Sequence, residues 1–140
     1  MSSEQAMRGI LQTRLLTLGW AEWTAFEGKG FADGREPNGT IPYQEVETRF
    51  ASAVPIGLAR TDMLGGTFQV RLMWPVAQVR ASGIGAPNAR AEAIKALFPR
   101  TWKQKTGGQT VKITRAPAIT RGPPQGDRDV TIVRVRFADR

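Results

Sequence analysis

This sequence has no cysteine and no histidine. The first absence excludes disulfides, a thiolate nucleophile and any cysteine-ligated metal. It fits a reducing compartment without requiring one. The second removes the most frequent general base and the most frequent transition-metal ligand. Serine is scarce as well: Ser2, Ser3, Ser52 and Ser82 are the four in the chain, and none has a histidine to activate it. No apolar run approaches the roughly 20 residues of a membrane-spanning helix. The N-terminus lacks the charged-then-apolar layout of a secretory signal. These absences predict a soluble, untargeted protein that is not an enzyme and carries no cofactor or metal.

Acidic residues are unevenly scarce. Residues 1–70 hold 6 Lys/Arg and 8 Asp/Glu, a net −2, whereas residues 71–140 hold 14 and 4, a net +10. Such asymmetry points to a polyanion or an acidic protein partner. Arginine outnumbers lysine 15 to 5, and arginine is the cation favoured at interfaces. With 140 residues, 41% of them hydrophobic, the chain is expected to form a single domain over residues 1–140 and to bury roughly 70% of its unfolded surface.

The most regular stretch is Gly66-Thr67-Phe68-Gln69-Val70-Arg71-Leu72-Met73-Trp74-Pro75. Phe68, Val70, Leu72 and Trp74 alternate with Gln69, Arg71 and Met73, the period of a half-buried strand. Gly65-Gly66 opens it and Pro75 closes it. Before it, Met7, Ile10, Leu11, Leu15 and Leu18 recur at helical spacing, with Ser2 or Ser3 as cap and Gly19 as stop. Thr24–Glu27 and Tyr43–Ala53 read as strands. After it, Pro87 suits a first helical turn, Ala91, Ile94, Leu97 and Phe98 form an apolar stripe, and Pro99 ends the helix. Trp102–Lys105 and Thr110–Arg115 read as a hairpin around Thr106-Gly107-Gly108-Gln109. The last strand, Val130–Phe137, sends Val133, Val135 and Phe137 to the core and leaves Ile132, Arg134 and Arg136 opposite. The expected class is α+β: a mostly antiparallel or mixed sheet of about five strands, with two helices packed on one face.

Four segments read as long connections: Gly28–Pro42, Ala53–Gly65, Val76–Gly85 and Ala116–Asp129. Loops of this length inside a small domain are usually functional or disordered. Phe31 and Ile41 look like exposed apolar residues suited to docking. Pro123-Pro124 reads as stiffening of its loop rather than as a proline-rich ligand.

No catalytic arrangement emerges. Glu45 and Glu47 share one strand face, as a catalytic pair would, but a solvated face accounts for them better. Gly83-Ile84-Gly85-Ala86-Pro87-Asn88 imitates part of a phosphate loop, yet lacks the third glycine and the later acidic residue. Two function classes remain. A nucleic-acid module would use Trp102 and Phe98 beside Arg100, Lys103 and Lys105. A structural protein would work by assembly through its loops.

Three long connections carrying apolar residues argue for assembly, and several motifs carry a family resemblance. They are the amphipathic opening helix, the Gly-Gly-Thr-Phe-Gln-Val-Arg-Leu-Met-Trp-Pro strand, and Ala91-Glu92-Ala93-Ile94-Lys95-Ala96-Leu97-Phe98-Pro99-Arg100 after a Gly/Ala-rich lead. Val111-Lys112-Ile113 leading to Ala116-Pro117, and the closing Val130, Val133, Val135 and Phe137, complete the set. In order and spacing, over about residues 5 to 137, this layout resembles the lambda-type tail terminator proteins of long-tailed bacteriophages. The resemblance implies a homo-hexameric ring that caps the tail tube, ends its polymerisation and offers the surface for head joining. Implied partners are other copies of the chain, the tail tube protein and a head-completion or neck protein. DNA would pass through without specific binding, and no membrane is involved. The implied location is the virion, at the head–tail junction, after assembly in the host bacterial cytoplasm. A head-completion or neck ring protein, or a small basic nucleic-acid-binding module, is the alternative. Family contacts do not transfer one by one, so interface candidates come from the loops and arginines: Phe31, Arg35, Ile41, Arg60, Arg71, Arg80, Arg121, Arg134 and Arg136. Acidic surfaces of neighbouring proteins are the expected targets of the arginines. Removing most of Gly30–Asn38 is expected to spare folding and harm assembly.

Overall fold

The computed structural model describes residues 3–28, 30–31, 39–51, 54–56, 61–63 and 65–139. The chain opens with helix α1, Ser3–Leu16. Met7, Ile10, Leu11 and Leu15 are its buried stripe, spaced to share one helix face. The helix tightens over Thr17 to Gly19 with i→i−3 bonds, and Gly19, at φ 88°, turns the chain away. Strands β1 (Thr24–Phe26), β2 (Gly30–Phe31) and β3 (Tyr43–Phe50) follow, then β4 (Val54–Ile56) and β5 (Thr61–Met63). Strand β6, Gly65–Pro75, is the long alternating stretch singled out above.

Two helices come next, α2 (Val76–Ser82) and α3 (Gly85–Leu97), then β7 (Lys103–Thr106), β8 (Gln109–Ile113), β9 (Ala118–Gln125) and β10 (Arg128–Ala138). Eight strands join one sheet in the order β2-β1-β3-β6-β10-β8-β7, with β9 also on β10. The pairing is antiparallel except between β1 and β3, which run parallel. The fold is therefore α+β with a mixed sheet. Strand β6 lies in the middle of that order and pairs with β10 along its whole length, from Gly65 opposite Ala138 to Pro75 opposite Arg128.

Helices α1 and α3 cover the inner sheet face, as the apolar periodicity implies. Their Met7, Ile10, Leu11, Leu15, Ala91 and Ile94 pack with Phe68, Val70, Leu72, Val133, Val135 and Phe137 of the strands. A smaller cluster sits on the outer face: Phe31, Tyr43, Met73, Val130 and Ile132. The strand parity explains both clusters, because Tyr43, Met73 and Val130 are register partners on the face opposite Phe68 and Val70.

All four of the expected connections hold regular structure. Val76–Gly85 contains helix α2, which has no buried residue and so no apolar stripe to read. Ala53–Gly65 contains the antiparallel pair β4–β5. Ala116–Asp129 contains β9, on which Pro123 and Pro124 are exposed. Proline is tolerated there because β9 bonds only β10 and its other edge needs no donors. The first connection also holds β2.

Candidate functional site

The described arginines divide by what they contact. Most of them tie the chain to itself. Arg14 Nε donates to the Leu97 carbonyl at 3.1 Å and lies over the Trp102 ring, joining α1 to the end of α3, where carbonyls lack helical partners. Arg128 is 5% exposed. It donates to the carbonyls of Ile41 at 2.7 Å and Met73 at 3.3 Å and stacks on Tyr43. Burial pushes the Tyr43 hydroxyl above its ordinary pKa, and the Glu45 carboxylate adds to the shift.

Arg90 reaches from α3 to the turn after α1. It donates to the carbonyls of Leu18 at 3.1 Å and Gly19 at 3.4 Å, and to Gln44 Oε1 at 3.2 Å. Burial holds its pKa below the usual arginine value. Sequence reading missed Arg90 and Arg128 because their acceptors are mostly backbone carbonyls distant along the chain.

The nominated residues divide by place. Phe31 is 5% exposed and packs edge-on against Trp23 and Tyr43. It is an anchor within the chain rather than an exposed docking residue, because β2 turns it under the outer face. Ile41, just before β3, is half-buried, its carbonyl held by Arg128. Arg71 faces Glu45 at 3.6 Å, on the register pair Glu45–Arg71. Glu47 pairs with Arg49. The two carboxylates thus belong to a solvated, ion-paired strand face. Arg35 and Arg60 lie outside the described residues.

Arg80 and Arg121 share Asp129 as a neighbour, which lines a cleft with the first and pairs with the second. Arg80 is exposed on α2 and lines a cleft with Gly39, Pro75, Pro124, Asp127 and Asp129. Arg121 on β9 pairs with Asp129 at 3.4 Å. Gln78 of α2 donates to the Thr40 carbonyl and closes the side of this cleft. Close in sequence, Ile84 at the α2–α3 corner is 42% exposed. Among the described residues it is the one large hydrophobic side chain left in solvent. Its signal in the sequence is an isoleucine between two glycines.

Arg134 and Arg136 lie elsewhere, exposed on the outer face of β10. The aromatic residues proposed for stacking bases are not available. Phe98 is fully buried and Trp102 packs edge-on against it with centroids 5.5 Å apart. Among the described residues, no group of three or more acidic side chains is placed to hold a metal ion, and no helix is long and apolar enough to cross a membrane.

Comparison with known proteins bears on the whole chain. A solved chain whose name states no function is 22% identical, covers 100% of this chain and 96% of its own length, and superposes with a TM-score of 0.71. At that identity the likeness concerns the fold. Three solved chains match in all. No curated protein matches significantly. The family described as "Phage tail terminator protein" matches residues 6–137, from within α1 to the last core residue of β10. The chain belongs to the phage tail terminator family, a structural component of the virion tail.

Proposed function

We propose that this protein caps the tail tube as a hexameric ring, ends tube polymerisation and presents the surface to which the filled head joins. The family match over residues 6–137 carries this reading. The fold supports it in one respect. A ring is a closed, heterologous assembly in which two different patches of each copy meet, and the rigid sheet-and-helix body carries distinct features at its end and on its outer face. The end cleft lined by Arg80, together with Ile84 exposed at the α2–α3 corner, is the proposed subunit contact. Interfaces join apolar residues with arginines, and Arg80 and Ile84 stand close in the chain on either side of the end of α2. Its location would be the head–tail junction, with the tube protein on one side and a neck protein on the other.

Light scattering on the purified protein, alone and with purified tail tubes, tests the reading. Wild type is expected to give a hexamer mass, or to be recruited in hexamer stoichiometry to tube tips. Ile84→Asp with Arg80→Glu is expected to stay monomeric with an unchanged unfolding midpoint. A wild type that is monomeric and ignores tubes overturns the ring.

A further inference from the structure

Basic residues far apart in sequence meet on the outer sheet face. Side chains alternate along strands, so the burial of Val133, Val135 and Phe137 inside places Arg134 and Arg136 outside. On β8, buried Val111 and Ile113 put Lys112 and Thr114 outside. Lys112 is the register partner of Lys103, and Lys105 that of Thr110. Gln104, of opposite parity, lines a groove with Ala6 and Ile10 of α1 on the inner face. The junction is continuous: Ala138 opposes Lys112, and the Thr114 N–H donates to the Arg136 carbonyl at 3.0 Å. Arg134, Arg136, Lys112, Lys103 and Lys105 therefore form one strip across β10, β8 and β7.

The strip is not neutralised by its own chain. Arg134 donates to Gln69 Oε1 at 3.3 Å and Thr120 Oγ1 at 3.2 Å, both neutral partners that orient the guanidinium and leave its charge. Among the described residues no carboxylate pairs with any of the five. The acid on this face nearest in register to Arg134 is Glu47, two strands away and engaged by Arg49. Lys103 and Lys112 stand directly opposite each other, and a like-charge cross-strand pair costs stability unless an anion lies over it.

We infer that this strip binds the sugar-phosphate backbone of duplex DNA without sequence preference. A second copy is a poor occupant. Of the described acids, Glu27, Glu45, Glu47, Asp127 and Asp129 already face arginines of their own chain. Of the nine acids with described side chains, four stand outside these pairs, fewer than the five cations of the strip. A protein partner wants an exposed apolar or aromatic centre, whereas the residues between these cations are Thr110, Thr114 and the buried Ala138. Single strands want aromatic platforms, and Phe98 and Trp102 are packed inward. A cationic strip lying along the face of a sheet suits phosphates, and contacts of that kind let DNA slide. The inference needs only the surface of one copy and does not depend on the ring.

Fluorescence anisotropy with a short labelled duplex tests it over a range of salt. Wild type is expected to bind mixed sequences equally, with a steep salt dependence. Lys103→Gln/Lys105→Gln/Lys112→Gln is expected to lower affinity about tenfold and to flatten the log–log salt slope by about 2 to 3, near 0.9 per lost phosphate contact. Relief of the Lys103–Lys112 repulsion keeps this variant at least as stable as wild type, which a melt verifies. Lys95→Gln/Arg100→Gln, which lowers the charge away from the strip, is expected to leave the slope unchanged. Equal losses in both variants, no binding at low salt, or preferential competition by poly-glutamate over unlabelled duplex would each overturn the assignment. The last result would point to an acidic protein surface.

Discussion

The guanidinium carbon of Arg90 lies 4.2 Å from the centroid of the Trp20 ring, and Trp20 in turn packs on Trp74 at the end of the central strand, with centroids 5.5 Å apart. This stack carries α3 onto the sheet. Beneath it, Gln44 Nε2 donates to Thr24 Oγ1 at 2.9 Å, and Thr24 Oγ1 donates to the Trp20 carbonyl at 2.7 Å. Gln44 and Thr24 are both fully buried. Arg90 completes the network by donating to Gln44 Oε1.

Arg90→Met should therefore destabilise the protein by about 2–4 kcal/mol. The change removes hydrogen bonds worth about 1 kcal/mol each and leaves a buried amide oxygen short of a donor. It also ends a cation–π contact worth about 1–2 kcal/mol. Arg90→Lys keeps the charge and loses the planar fork, so it should recover no more than about 1 kcal/mol of that loss. Urea unfolding measures both. A lysine variant as stable as wild type would show that charge alone matters here.

Gly66 separates two aromatic rings. It is the register partner of Phe50 on β3 and of Phe137 on β10, whose rings meet edge-on at 5.7 Å. A Cβ at this position would stand 2.0 Å from the Arg49 carbonyl oxygen and 2.9 Å from the Phe50 Cα. Both are backbone atoms and cannot swing aside. Gly66→Ala is expected to cost about 3 kcal/mol or more by overpacking. Thr67→Ala, the next residue, should stay within about 1 kcal/mol. Thermal melts of the pair decide it; a silent Gly66→Ala would mean that the β3–β6 pairing yields at this end.

What the sequence made legible follows its periodicities. Strand β6 was readable because Phe68, Val70, Leu72 and Trp74 alternate strictly, and the parity of β10 followed from Val133, Val135 and Phe137. Helices α1 and α3 were readable from apolar spacing. Helix α2 was not, since Val76 to Ser82 buries no residue fully. Strand β9 was hidden by Gly122, Pro123 and Pro124, which mark a loop in a central strand but are admissible on an edge. Interface reading suffered differently. Charge composition shows how many arginines there are, and only register shows that Arg71 faces Glu45 while Arg134 faces Gln69. The strip of Arg134, Arg136 and Lys112 depends on two strands separated by β9 in the chain and adjacent in the sheet.

Phe31 changes what the first long connection can be asked to show. Removal of Gly30–Asn38 would take away β2 and a ring that packs on Trp23 and Tyr43, so the deletion should compromise the fold itself. Phe31→Ala alone is expected to cost about 3–5 kcal/mol, the range for emptying a buried phenylalanine site. Denaturant titration of this variant measures the effect, and a change under about 1 kcal/mol would mean that the outer cluster closes over the gap. A role for the connection in assembly is then tested by deletions that begin after Phe31.

Tyr43 is the only tyrosine in the chain, which makes its titration observable without assignment. Burial and the neighbouring Glu45 carboxylate raise its pKa in the folded state above the ordinary 10.0. The sign follows from linkage. Above about pH 10 the unfolded chain releases this proton while the folded chain retains it, so the folded state binds more protons and stability falls as pH rises. The contribution is fully present below the unfolded pKa and is lost as pH passes through the folded one. Arg128 and Arg71 oppose the shift and are the lesser causes. Ultraviolet difference titration of the native protein should therefore show a tyrosinate midpoint above 10.0 that returns toward it in denaturant. Tyr43→Phe should lose stability less steeply than wild type above pH 10, with the two curves parallel below it. A native midpoint at or under the unfolded value would mean that the cations Arg128 and Arg71 outweigh burial, and the cluster beneath the outer face would then be wetter than its packing implies.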